Sequence, residues 1–201
     1  MHPDPAFRLD EAACRRVARQ VGFAHVFVHG TAGAGVIHAP CTLDAAGDLS
    51  FHCSARNRVT PLLVDARAIA SFSPLDGYVS PDWYVTLGQV PTWNYVAVEA
   101  EGRLEPLSRA ALIAQVDALG DAHEARLAPK PAWTRDKVDP AAYERMVDAI
   151  RGFVIRVEAW RGTAKLSQNK PAADRAGVSA ALDALGRHDL ATAIAGSSSR
   201  T

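Results

Sequence analysis

No stretch of this chain reaches the roughly 18 consecutive apolar residues that a membrane-crossing helix needs. The start, MHPDPAFRLDEA, lacks a basic segment followed by an apolar one, so neither a leader nor an anchor is expected and a cytoplasmic location is. Cysteine is scarce. Cys14, Cys41 and Cys53 are odd in number and without a CxxC spacing, which points to buried thiols in a reducing compartment, not to disulfides or zinc. Net charge is absent too: Lys+Arg and Asp+Glu each count 22, and no long run of one sign occurs. Such a chain has no strong long-range field for nucleic acid or an anionic membrane, although a local basic patch stays open. Phosphate-binding GxGxxG and GxxxxGK motifs, an HExxH pair and a GxSxG elbow are all missing, so neither a metal site nor covalent catalysis by a serine is expected.

What is present is enough apolar residue, 48% of 201, to bury a full core in one domain, or one domain with a helical appendage. Asp10 is placed to cap a helix over 11–20, stopped by Gly22. Residues 24–29, 36–43 and 49–53 are β-branched or aromatic-rich runs separated by Gly-containing breaks, the pattern of an antiparallel meander. A short helix over 61–66 and a strand over 69–73 precede an irregular stretch, 74–93, rich in Pro, Gly and aromatics. Strand pattern returns at 94–104, followed by helices over 109–119, capped by Ser108 and ended by Gly120, and over 141–150 behind Pro140, then a strand over 153–160. Beyond Lys170, Val178, Leu182 and Leu185 are spaced for a peripheral helix, and the chain closes on a polar GSSSRT tail. The expected fold is mainly β with helices, a barrel with peripheral helices: residues 1–170 as the barrel domain and 171–201 as a helical segment and tail.

Four stretches carry candidate chemistry. YVSPDWY, residues 78–84, puts three large aromatics in a Pro-containing loop, either plugging a barrel end or forming a platform for a planar ligand. In PTWNY, residues 91–95, Thr92 and Asn94 place hydrogen-bonding groups beside Trp93, which suits a heteroaromatic with polar edges or simply ends a turn. WRGTAKLSQNK, residues 160–170, crowds Lys165, Ser167, Gln168, Asn169 and Lys170 after a strand, as an anion or ligand site or as a solvated turn. In FHCSARNRVTP, residues 51–61, Ser54, Arg56, Asn57, Arg58 and Thr60 precede a possible helix start, the parts of a phosphate site but also a common surface arrangement. His38 and His52 lie in strand-like runs, where a histidine is more often a satisfied core residue than a ligand.

Three of these motifs occur in the order SPxWY (80–84), VPTWNY (90–95) and KLSQN (165–169), together with IHAP (37–40), His52 and ADRAGV (173–178). In this the chain resembles the PaiB-type FMN-binding negative transcriptional regulator family along nearly its whole length. The resemblance implies a split β-barrel of the pyridoxine-phosphate-oxidase-like kind, a homodimer holding FMN at its interface. It places Ser54, Arg56 and Asn57 toward the phosphate, and Thr92, Trp93 and Asn94 toward the isoalloxazine. Lys165, Ser167, Gln168 and Asn169 fall toward the flavin or a second ligand, and His38 borders the same pocket. One departure is visible: the family's HxARANP turn is HCSARNRV here, so the arginine is displaced and the proline absent. The resemblance implies a regulatory flavin-binding protein, with an FMN-dependent oxidoreductase acting on a small molecule as the alternative. Direct DNA binding is not expected from a chain without net charge or a helix-turn-helix pattern.

Overall fold

Alternation of burial along each strand builds the barrel. In the computed structural model, which describes residues 2–31 and 33–197, a short strand β1 (Arg8–Leu9) pairs with Gly162 and Thr163, and strand β2 (Phe23–Gly30) buries Ala24, Val26 and Val28 and exposes Phe23, His25, Phe27 and His29. Period-two side chains put one row inside and the next outside, and the sequence supplies small and β-branched residues for the inner row. Strand β3 (Gly33–Leu43) pairs with β2 antiparallel, His25 opposite His38 and Phe27 opposite Val36. Strand β4 (Leu49–Ser54) follows β3 and buries Leu49, Phe51 and Cys53. The meander expected over these residues is therefore present.

The chain forms two compact units. One, here the barrel unit, comprises Ala18–Phe72 and Ala100–Trp160, and the other, the helical unit, Met1–Val17, Ser73–Glu99 and Arg161–Thr201. Three long strands contribute residues to both: β5 (Arg67–Val79), β6 (Thr92–Pro106) and β7 (Ile150–Lys165). In the barrel unit the antiparallel order is β7-β4-β3-β2-β5-β6, and β6 pairs again with β7, closing the ring and leaving no free edge. Gly102 permits this closure, because a methyl group there would overlap the carbonyl oxygen of Arg156. Phe51 and Phe153 stack inside, ring centroids 5.9 Å apart. Helix α1 (Glu11–Val21) begins at Asp10, whose carboxylate accepts the Ala13 N–H at 2.7 Å as the sequence indicates. Helices α2 (Arg109–Glu124) and α3 (Pro140–Asp148) are capped by Ser108 and Asp139.

Several boundaries differ from expectation, each for a local reason. Residues 61–66 form no helix beyond a 3-10 turn, Thr60–Leu62, and Asp65 at φ 54° turns the chain away from helical geometry. Helix α2 runs through Gly120, which faces open space and so has no steric reason to end it. Strand β5 continues through Pro74 and Gly77 to Val79, and residues 80–91 lie outside strands, with a 3-10 turn over Pro81–Trp83. Gly77 is there for close approach: a Cβ on it would stand 2.5 Å from Leu190 Cδ2.

Residues after Lys170 make two helices, not one peripheral helix: α4 (Ala172–Ala184) and α5 (His188–Ala195), separated by Gly186 at φ 75°. They own a core. Val178, Leu182, Leu190, Ala191 and Ile194 pack with Val79 and Tyr84 in the helical unit, while Leu185 is exposed. Gly177 lets α4 lie against the Trp83 carbonyl oxygen. Of the GSSSRT tail, residues 198–201 lie outside the described residues.

Candidate functional site

The helical unit gathers around one cavity five of the residues that the family resemblance places toward the flavin. Thr92, Asn94, Lys165, Ser167 and Asn169 line a space of about 240 Å³ together with His2, Asp4, Phe7, Tyr84, Gln89, Val90 and Lys170. Two strand ends bring them there. Asn94 occupies the inward register of β6, in line with buried Val96 and Val98, so its amide needs a partner inside. That partner is Ser167: Asn94 Nδ2 donates to Ser167 Oγ at 2.7 Å, with both residues buried. Ser167 adopts φ 58°, a left-handed conformation that costs an L-residue energy and turns the chain sharply after β7. The Lys170 N–H closes that turn on Ser167 O at 2.9 Å.

Two ammonium groups enter the cavity from the two ends of this turn. Lys165 Nζ donates to Thr92 Oγ1 at 2.5 Å, and Lys170 Nζ to Gln89 Oε1 at 2.5 Å while lying 5.5 Å from the Tyr84 ring centroid. Burial pushes the Lys165 ammonium below its ordinary pKa, and the charge of Lys170 pushes it the same way. Asp4 contributes a carboxylate to the lining, one oxygen of which accepts the Ala6 N–H at 2.9 Å. The nearby loop is anchored from α4, where Asp174 accepts the N–H groups of Val85 at 2.8 Å and Thr86 at 2.9 Å.

Other selected residues stand elsewhere. Gln168 turns to the backbone: Oε1 accepts from Leu166 N at 2.7 Å, and Nε2 donates to Ala164 O at 2.6 Å and Ala6 O at 3.3 Å. Trp93 is 55% exposed on the outward row of β6, edge-on to Tyr78. The three aromatics of residues 78–84 thus divide, with Tyr84 in the helical-unit core and at the cavity, Trp83 packed against that core, and Tyr78 outside.

In the barrel unit, Ser54, Arg56 and Asn57 form a tight turn after β4. Ser54 Oγ accepts from Arg56 N, Asn57 Oδ1 accepts from Val59 N at 2.9 Å, and Thr60 Oγ1 donates to Ser54 O at 2.8 Å. Side chains of Arg56 and Arg58 are exposed and without an ion-pair partner among the described residues. His38 is not a core residue: it is exposed on β3, with its Nδ1 2.6 Å from Nδ1 of His25. His52 is half-buried against Gln115 Oε1 at 2.8 Å. No group of three or more metal-binding side chains exists among the described residues, and none of their helices is long and apolar enough to cross a membrane. The three cysteines are free and buried, and burial pushes Cys14 up to about 11 and Cys41 up to about 12.

The closed antiparallel sheet of the barrel unit defines a split β-barrel. Solved structures agree on the fold. An FAD and heme binding protein from Mycobacterium smegmatis superposes with TM-score 0.56 at 18% identity, covering 78% of this chain and 71% of that one. A conserved hypothetical protein from Mycobacterium tuberculosis gives TM-score 0.60 at 12% identity, covering 85% and 94%. The family model described as "Putative FMN-binding domain" matches residues 1–159, and the chain belongs to that family. Protease synthase and sporulation protein PAI 2 of Bacillus subtilis is 32% identical over 106 residues, 53% of this chain; the chain spans about half, 50%, of that relative's length.

FMN is the cofactor that family membership assigns, and the residues present suit it in part. Hydroxyl, amide and ammonium donors at Thr92, Asn169 and Lys165 match a flavin's oxygen- and nitrogen-rich edge or its phosphate. At 240 Å³ the cavity lies below the roughly 300–1,000 Å³ of a site enclosing a drug-sized ligand, a size that suits one end of such a molecule. His2, Asp4 and Phe7 escaped the sequence reading, because nothing in an N-terminal HPDPAF signals a site more than 80 residues from its partners.

Proposed function

We propose that this chain is an FMN-binding protein with a regulatory role exercised through its flavin site, working as a homodimer. The observation that carries this reading is the convergence of Thr92, Asn94, Lys165, Ser167 and Asn169 on one cavity, from two segments about 70 residues apart. In this reading Lys165, Thr92 and Asn169 bind the flavin directly. Asn94 and Ser167 hold the turn that presents Lys165. Trp93 covers the isoalloxazine, Gln168 fixes the backbone of the segment, and His38 borders the pocket in the assembled dimer. Ser54, Arg56 and Asn57 remain the residues proposed for the phosphate, with the exposed guanidinium of Arg56 as its charge-assisted donor. Bound FMN would supply redox chemistry, and the protein's own part is to position it and exclude competing contacts.

Resemblance to the PaiB-type family and the sporulation-related name of the B. subtilis relative support regulation. Zero net charge argues against direct DNA reading. Phe23 and Phe27, each 47% exposed on the outer row of β2, support a second copy as the partner. An oxidoreductase acting on a small molecule is the second reading, favoured by the two ammonium groups that face the cavity.

FMN titration followed by flavin fluorescence tests the site. Lys165→Ala and Asn169→Ala should each weaken binding by about one to two decades, with circular dichroism and light scattering unchanged from a dimeric wild type. Wild-type affinity in both variants would remove the segment from the flavin site. Turnover of a small-molecule oxidant by the reduced holoprotein would favour the second reading.

A further inference from the structure

Several cations in this chain are neutralised by neighbouring carboxylates. Arg67, Arg109 and Arg156 each bond two carboxylates, and Lys130 bonds Glu124. Lys165 and Lys170 form no ion pair among the described residues and share an address. Both are half-buried, both line the same cavity, and the hydrogen bonds of both ammonium groups go to neutral oxygens, Thr92 Oγ1 and Gln89 Oε1. From this geometry we infer that the cavity is an oxyanion subsite, in which Lys165 and Lys170 together hold the phosphate monoester group of a ligand. The inference rests on reading this cavity as a ligand site, and goes beyond that reading by naming the group bound and adding Lys170.

Three features make the arrangement a built site. The lysines sit at either end of a turn fixed by the left-handed Ser167, by its buried bond from Asn94 and by the Lys170 N–H on Ser167 O, so their separation is preset. Charge is unbalanced: the lining carries two ammonium groups against the one carboxylate of Asp4, with the imidazole of His2 and the phenol of Tyr84 as its other titratable groups. Asp174, which also acts on Lys170, accepts the Val85 and Thr86 amides at Oδ1, and lies outside the cavity lining. An oxyanion would relieve the mutual repulsion that already disfavours the charged form of Lys165. Each ammonium has three donors, of which one is used, so four remain for the oxygens of a phosphate. A monoester carries about −1.5 to −2 at neutral pH, which matches two lysines better than a carboxylate does.

FMN's own terminal phosphate and the phosphate of a second ligand present the same chemistry. Inorganic phosphate, titrated by calorimetry into the full chain with and without FMN, separates them. Lys165→Met and Lys170→Met should each weaken phosphate binding about tenfold or more, Lys165→Arg should restore most of it, and Lys130→Met should leave it unchanged. Affinity in the wild type should begin to fall at a pH below the ordinary lysine pKa of about 10.4, as Lys165 loses its proton earlier than an ordinary lysine, and the Lys165→Arg variant should flatten that fall. If FMN expels phosphate and riboflavin does not, the subsite holds the flavin's phosphate; if phosphate also binds the FMN-loaded protein, it serves a second ligand. Either result supports the subsite. Absence of phosphate binding, or binding indifferent to both Met variants, overturns it, and normal FMN affinity in that protein would leave the flavin reading standing. Phosphate binding through the lysines in a protein that takes no FMN would instead sink the flavin reading alone.

Discussion

Breaking the bond between Asn94 and Ser167 tests whether the cavity wall is held from within. Both residues are buried, 1% and 4% exposed, and the bond is 2.7 Å long. Asn94→Ala removes the donor and leaves the Ser167 hydroxyl without it, which should cost about 1–3 kcal/mol. Ser167→Ala strands the Asn94 amide and should cost a similar amount. The double variant removes both polar groups, so its cost should fall short of the sum by about 0.5–2 kcal/mol, the coupling expected of residues in direct contact. At roughly 2–4 °C per kcal/mol for a chain of this size, each single variant should melt about 2–12 °C lower. Urea denaturation of the four proteins in the cycle gives the energies. FMN titration of the same proteins shows whether the turn presenting Lys165 has moved. Coupling below about 0.3 kcal/mol, the additivity of unconnected sites, would refute the view that this bond fixes the turn.

Other outcomes follow from the same geometry. Gly102→Ala should prevent clean pairing of β6 with β7, because its methyl overlaps Arg156 O, and lower stability by at least about 3 kcal/mol in urea denaturation; a loss within experimental error would deny that this glycine closes the barrel. Gln168→Ala should cost about 1–3 kcal/mol of stability while changing FMN affinity less than Lys165→Ala does, because its amide is engaged by three backbone groups; the reverse order would make Gln168 a direct ligand of FMN. Asp174, whose pKa is lowered first by the Thr86 N–H, stabilises the fold above the ordinary carboxylate pKa of about 3.9, and that contribution disappears as pH falls through its lower folded value. Asp174→Asn should therefore flatten the stability–pH curve below about pH 4, and an unchanged acid limb in chemical denaturation would contradict this assignment.

Much of the barrel was legible because strands carry their own signal. In β2 the inner row of Ala24, Val26 and Val28 announces itself through alternation, and Asp10 and Ser108 mark helix starts through local bonds that depend on no distant residue. Glycine was read poorly for the same reason in reverse. Gly120 looked like a stop and sits inside α2, while Gly77 looked like part of a loop and lies within β5, because its role is set by Leu190, more than a hundred residues away. The C-terminal helices looked peripheral since part of their core, Val79 and Tyr84, comes from another part of the chain.

The site divides along the same line between local and distant causes. PTWNY and KLSQN are dense in donors, so Thr92, Asn94 and Lys165 could be picked out one by one, but spacing said nothing about which of them bind outward and which bind each other. Asn94 lies in an inward register, and an amide there must find a partner; that necessity assigns Ser167 to holding the turn. Gln168 is likewise spent on backbone, so two of the four polar side chains in KLSQN serve the turn itself. Lysine cannot be satisfied in that way, having donors only. An ammonium placed on a neutral hydroxyl in a half-buried cavity keeps unused donors and an unbalanced charge, and a second one beside it, on Gln89, doubles both. The polar cluster is thus a frame of Asn94, Ser167 and Gln168 around two cations whose hydrogen bonds go to neutral oxygens, a division of labour that follows from which side chains can accept a hydrogen bond and which can only give one.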